Sequence, residues 1–302
     1  MKVLVTGSTG LVGSALVPFL TKSGHHVTRL VRSRTGGPLK DTQVIEWDPV
    51  AGRLDKLALE GVEGVVHLAG ENIAARRWTA EQKARIRESR VAGTRLLADT
   101  LARMSRPPKV LICASAIGYY GNRGDQRLTE ESSSGGDFLA EVSREWEAAA
   151  KPTADKGVRV VYLRIGLVLS PAGGALGKML TPFRMGVGGV IGSGEQYMSW
   201  VAIDDLIGII QHVLARDGLR GPVNAVSPNS VTNREFTKTL GKVLGRPTIF
   251  PLPEFAARLA FGEMADALLL SSTRVEPQRL LASGYTFLYP TLEGALRHLL
   301  RK

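Results

Sequence analysis

Three glycines, Gly7, Gly10 and Gly13, stand between a short apolar run at residues 3–5 and an apolar helical pattern through Ala15, Leu16, Phe19 and Leu20. That spacing carries a chemistry. The first glycine permits a tight turn with unusual dihedrals. The second lets the backbone approach phosphates, and the third lets the helix pack close to the strand. A helix N-terminus then offers free N–H groups and a partial positive charge to an anion. Residues 7–13, with Thr9, Leu11 and Val12 between the glycines, are expected to hold a dinucleotide pyrophosphate. Glycine-rich turns occur in many proteins, so context decides. Here the triplet follows a strand, precedes a helix, and is succeeded by a second apolar strand at residues 27–31.

The end of that second strand chooses between the two nicotinamide cofactors. NAD sites place Asp or Glu there for the ribose hydroxyls, whereas NADP sites place Arg nearby for the 2′-phosphate. This chain reads Leu30-Val31-Arg32-Ser33-Arg34, without a carboxylate. Arg32 can fork onto a phosphate and Ser33 can donate to it. NADP is the expected cofactor; the alternative is that Arg32 and Arg34 are solvated loop residues.

These residues need a frame. The chain has 302 residues, 44% of them hydrophobic, enough for one large α/β unit or two modest domains. No apolar run approaches the roughly 18 residues of a membrane span, and no leader peptide is expected before the first strand. One cysteine, Cys113, excludes a disulfide framework, and a cytoplasmic location follows as the simplest expectation. The net charge of +11 raises nucleic acid as a partner. The basic residues are scattered, however, and Glu81 and Glu88 interrupt the densest stretch, residues 76–95. Specific nucleic-acid binding is not expected.

Strands alternate with helices through the first half. Further strands are expected at residues 44–47, 65–68, 110–114 and 158–163, with helices at about 79–102 and 138–150. Thr79 and Gln82 form a candidate capping box. The alternation implies a Rossmann-type, doubly wound parallel sheet in residues 1–170, with ligands at the carboxyl ends of the strands. Residues 171–302 read as a smaller, partly interleaved C-terminal α/β domain, with elements near 195–227 returning to the sheet. Helices are expected there at about 204–215, with Asp204 as N-cap, and at 233–244, 254–270 and 292–300.

The motifs at these strand ends resemble those of extended short-chain dehydrogenases/reductases, the group that includes nucleotide-sugar epimerases. The matching pieces are residues 6–13, His67-Leu68-Ala69-Gly70, Ser115-Ala116-Ile117-Gly118-Tyr119-Tyr120-Gly121 and Trp200-Val201-Ala202-Ile203-Asp204-Asp205-Leu206. The chain is similar, over essentially its full length, to the atypical epimerase-family subgroup with a C-terminal domain of unknown function. Its diagnostic pieces are residues 68–73, 88–94, 145–149 and 188–194. The resemblance implies NADP binding, with Arg32, Leu68, Ala69, Arg90 and Leu167 at cofactor-contacting positions; Gly70 and Ser115, in the flanking motifs, are further cofactor-binding candidates. It names no substrate beyond a small molecule.

One departure matters. Ordinary members transfer hydride with Ser and a Tyr-x-x-x-Lys pair, whose spacing puts phenol and ammonium on one helical face. The ammonium lowers the tyrosine pKa toward neutrality. This chain has no such pair. If Glu147 matches the family's helical glutamate, the two positions hold Leu139 and Ser143. The remaining candidates are Ser115 for a carbonyl, and Tyr119 or Tyr120 as acid, with Arg123 to lower a tyrosine pKa. Glu71 is a further candidate acid or base. His67 reads as a packed strand residue, and the five histidines show no metal-ligand spacing, so no metal is expected. Two functions follow: an NADP(H)-dependent oxidoreductase or epimerase-like enzyme, or a noncatalytic NADP(H)-binding protein that senses redox state or scaffolds a protein partner.

Overall fold

The computed structural model describes residues 1–33 and 42–301; Arg34, and with it one of the two arginines after the second strand, lies outside them. An eight-stranded sheet forms the frame. Its strands are β1 (Lys2–Thr6), β2 (His26–Val31), β3 (Gln43–Asp48), β4 (Arg53–Leu54), β5 (Gly64–His67) and β6 (Val110–Ala116). A two-residue strand, β7 (Arg127–Leu128), stands apart, and the chain then returns with β8 (Arg159–Ile165). After β9 (Leu167–Leu169), β10 (Tyr197–Met198) and β11 (Trp200–Ala202), the frame is completed by β12 (Gly221–Ala225). The order is β12-β8-β6-β5-β1-β2-β3-β4, parallel throughout except for β4.

Continuous apolar runs such as Val3-Leu4-Val5 and Val110-Leu111-Ile112 suit strands covered on both faces. Helix α1 (Leu11–Lys22) covers one face, and α2 (Ala80–Ala102), α3 (Phe138–Ala149) and α4 (Lys151–Asp155) cover the other. Leu16, Val17 and Leu20 of α1 are fully buried in the first core, and Leu97 and Leu101 of α2 in the second. After α5 (Gly174–Arg184), α6 (Ile203–Ala215) rejoins α1 in the first core through Leu206, Ile209 and Val213. A third core, around Trp200 and Phe236, gathers α5, α7 (Asn233–Leu244) and the closing helix Leu292–Leu300.

Several local expectations are corrected. The N-cap of α6 is Ala202, and Asp204 falls inside the first turn, where its charge still complements the helix dipole. Its neighbour Asp205 accepts instead from the backbone N–H groups of Leu288 and Tyr289, at 2.7 and 3.0 Å. Thr79 caps α2 by accepting from Gln82 N, yet the buried Gln82 amide has no partner, so the reciprocal half of the capping box is missing. The helix expected over residues 254–270 is interrupted at Gly262, which adopts φ +60° between α8 (Glu254–Phe261) and α9 (Glu263–Ala265).

Candidate functional site

β1 ends at Thr6, and the chain turns at Gly7 with φ +64°. A Cβ there would stand 2.7 Å from the Leu68 carbonyl, so this glycine serves both a left-handed turn and the close approach of β5. A Cβ on Gly13 would lie 2.2 Å from Gly7 O, which is why α1 can pack against its own entry turn. Gly10 is the N-cap of α1, and no side chain caps it. The first helical turn holds no acid. Among the described residues the leading N–H groups of α1 have no acceptor, which is the arrangement an anion needs.

A relay of hydrogen bonds fixes the strand ends behind this turn. Leu68 N and Ala69 N both donate to Thr6 Oγ1, at 3.1 Å. That hydroxyl accordingly donates its own proton to His67 Nδ1, 2.7 Å away. His67 then carries its proton on Nε2 and donates to Thr94 Oγ1 at 2.9 Å, where Trp146 Nε1 also donates. Burial lowers the His67 pKa to about 4, so the imidazole is neutral and structural.

A cleft of about 1440 Å³ opens at the carboxyl ends of β1, β2, β3 and β5, walled on one side by α2. It brings together Gly7, Thr9, Gly10, Arg32, Ser33, Leu68, Ala69 and Gly70. Arg32 and Ser33 are exposed at the end of β2. Glu71 also lines the cleft, its N–H held by Ser89 Oγ at 3.0 Å.

Other expected residues stand elsewhere. Gly13 is buried under the turn, Val12 packs on the first core, and Leu11 meets the backbone at Gly173 and Gly174. Leu167 begins β9 and packs toward the third core. Arg90 lies beneath the cleft floor, where a Cβ on Gly70 would stand 3.3 Å from its guanidinium carbon. It donates to Glu71 O and Ile86 O, at 3.0 and 3.1 Å, and stacks 5.0 Å over Trp146. Burial lowers its pKa to about 10, which leaves it charged at neutral pH.

Sequence reasoning missed Ser8, Arg29, Trp47, Arg85 and Glu88, which also line the cleft. Arg29 was the detectable one: a charge inside an apolar strand needs a reason. It is 8% exposed and donates from Nε to Ser8 Oγ at 3.1 Å, bracing the glycine turn.

The catalytic candidates cluster at the end of β6, beside β5 but not among the residues that line the cleft. Ser115 is 3% exposed and donates to Glu147 Oε1 at 2.7 Å. Glu147 receives Arg164 through two nitrogens, at 2.8 and 2.9 Å. Arg164 Nη1 donates to the Tyr120 hydroxyl at 3.1 Å, which itself donates to Asn224 Oδ1 at 2.7 Å. Tyr120 is 0% exposed, and burial pushes its pKa up. Tyr120 is thus closed in by Arg164 and Asn224, and Ser115 directs its proton at Glu147. Arg123 is misplaced for the part expected of it. Its guanidinium donates to backbone oxygens of Tyr120, Ser133 and Ser134. Arg164 takes that position instead, 3.4 Å over the Tyr119 ring. Tyr119 alone remains half-buried with no hydroxyl partner recorded among the described residues. Leu139 packs against the preceding Gly118, where a Cβ would come within 3.2 Å of it.

Comparison with known proteins agrees with this architecture. Residues 3–225 match the NAD-dependent epimerase/dehydratase family, and residues 252–299 match a domain of unknown function, DUF1731. An epimerase family protein of Mycobacterium bovis is 42% identical, over 97% of this chain and 96% of its own. Human epimerase family protein SDR39U1 is 40% identical over 99% of both chains. The crystal structure of the human protein with NADPH superposes with a TM-score of 0.90 at 38% identity, over 100% of this chain and 99% of that one. A nucleoside-diphosphate sugar epimerase structure from Corynebacterium glutamicum reaches 0.81 at 40% identity, covering 99% of this chain and 58% of that one. The chain therefore belongs to the NAD-dependent epimerase/dehydratase family, with the short C-terminal domain of unknown function behind its nucleotide-binding sheet.

Proposed function

We propose that the chain binds NADP(H) in the 1440 Å³ cleft and acts as an epimerase-type oxidoreductase on a small molecule, without a Tyr-x-x-x-Lys pair. The observation that carries the cofactor choice is Arg32, exposed beside Ser33 where an NAD site would place a carboxylate. The NADPH in the human SDR39U1 structure supports the same choice. NADP(H), when bound, supplies or accepts a hydride. The uncapped end of α1 holds the pyrophosphate, and Arg32 with Ser33 holds the 2′-phosphate. Tyr119 is the phenol left to hold or move a proton. The single cysteine, Cys113, is buried with its thiol pushed up by burial, which fits a reducing compartment such as the cytoplasm.

A second reading, noncatalytic NADP(H) binding that a protein partner senses, is favoured by the commitment of Ser115 and Tyr120 to internal bonds. Calorimetric titration with NADPH and NADH tests the cofactor. Arg32→Ala should cost NADPH about 1.5–3 kcal/mol, the scale of a charged hydrogen bond, and leave NADH nearly unchanged. Equal losses for both nucleotides would remove the 2′-phosphate assignment. NADPH oxidation against a panel of carbonyl compounds then separates the readings: turnover that Tyr119→Phe abolishes supports the enzyme, and no turnover supports the sensor.

A further inference from the structure

Across the sheet from the glycine turn lies a second hollow, of about 540 Å³. It sits at the amino-terminal end of β12, between the 216–220 turn that leaves α6 and α10 (Gln278–Ala282). β12 runs parallel to the rest of the frame, so this edge is opposite to the one that carries residues 7–10. Three of its seven lining residues are arginines, Arg216, Arg220 and Arg279, and no acid lines it. Cationic side chains around one hollow repel one another, and a bound anion relieves that repulsion.

The end of a helix ordinarily repels anions, because its last carbonyls carry partial negative charge. Here one carbonyl of that end, Val213 O, and three of the turn and strand that follow are engaged by arginine. Val213 O and Leu219 O accept from Arg159, and Arg220 O and Pro222 O accept from Arg279. Two acids stand nearby, each beside an arginine. Asp217 turns toward Arg159 at 3.6 Å, and Glu131 pairs with Arg279. Arg216 and Arg220 are exposed, and their guanidinium groups have no hydrogen bond or ion pair among the described residues. Burial, and then the charge of Arg216, hold His212 below its ordinary pKa, which fits a positive field at this corner.

We infer that Arg216 and Arg220, beside the anchored Arg279, form an oxoanion site for the phosphate of a small molecule, separate from the cofactor cleft. The hollow falls within the roughly 300–1,000 Å³ of small-ligand pockets, so a phosphomonoester or diphosphate fits and a nucleic-acid duplex does not.

The test is calorimetric titration of the full chain with inorganic pyrophosphate at about 0.15 M salt, where loose surface attraction is screened. Wild type and the Arg216→Ala/Arg220→Ala double variant are compared, each with and without excess NADP+. Both arginines are exposed and unpaired, so folding is not at stake. Binding that survives NADP+ and weakens at least tenfold in the double variant is the expected result. Binding that NADP+ displaces belongs to the cofactor cleft and overturns the inference. Binding unchanged in the double variant is a nonspecific effect of net charge and overturns it, as does no binding at all.

Discussion

The carboxyl ends of β1 and β2 and the carboxyl end of β6 belong to one sheet edge, yet they are built oppositely. At β1 and β2 the polar groups are left open: uncapped N–H groups on α1, and an exposed Arg32 and Ser33. At β6 almost every polar group is closed on another. Ser115, Glu147, Arg164, Tyr120 and Asn224 form one continuous buried chain. The difference teaches that residue type alone does not mark a reactive site. Here a serine and a tyrosine at the expected place donate to other side chains.

The strongest way to break this comparison is Glu147→Ala. Arg164 is 3% exposed and Glu147 12%, so the substitution strands a buried cation. Removing one partner of a buried pair costs about 3–5 kcal/mol. Chemical denaturation should show that loss, while NADPH affinity of the folded variant stays close to wild type. A large fall in affinity with little loss of stability would place Glu147 in the ligand site and dissolve the contrast.

His67 sharpens the comparison from behind the cleft. Its folded pKa is about 4 against an ordinary 6.5. Below pH 6.5 the unfolded chain takes a proton that the folded chain refuses. The stabilisation is therefore complete above 6.5 and declines as pH falls toward 4, by about 3 kcal/mol in all. Denaturation at several pH values should show His67→Gln losing that much less than wild type over this window. Parallel slopes would mean that the Thr6-His67-Thr94 relay does not hold a neutral imidazole.

Much of the frame was legible because it rests on local rules. Apolar runs gave six of the eight strands of the sheet, all but β4 and β12, and the closing helix Leu292–Leu300 coincides with the expected 292–300. The glycine turn was legible because φ at Gly7 and the contact of Gly13 with Gly7 O are demands that only glycine meets. What stayed hidden depends on long-range partners. Glu147 meets Ser115 across 32 residues, and Asn224 meets Tyr120 across 104. No local pattern announces that a hydroxyl will be used up by a residue so distant. Gly262 broke an otherwise helical pattern for a similar reason: the bend brings Glu263 to Lys83, 180 residues away.

The smallest expected effect is also the most discriminating for the β6 end. Tyr120→Phe removes the hydroxyl that donates to Asn224 and accepts from Arg164. Such a bond contributes about 1 kcal/mol net, with somewhat more at risk because Asn224 Oδ1 and one Arg164 N–H lose a partner in a dry site. A loss of about 1–3 kcal/mol in stability is expected, with NADPH binding and any turnover unchanged. Tyr119→Phe is the matched control. Its hydroxyl has no partner among the described residues, so stability should hardly move, and any effect must appear in turnover. Two adjacent phenols with opposite signatures would confirm that β6 ends in a packed tyrosine and an available one. Loss of turnover in Tyr120→Phe at full stability would instead mean that the buried chain opens during the reaction, because a phenol at 0% exposure cannot otherwise reach a substrate.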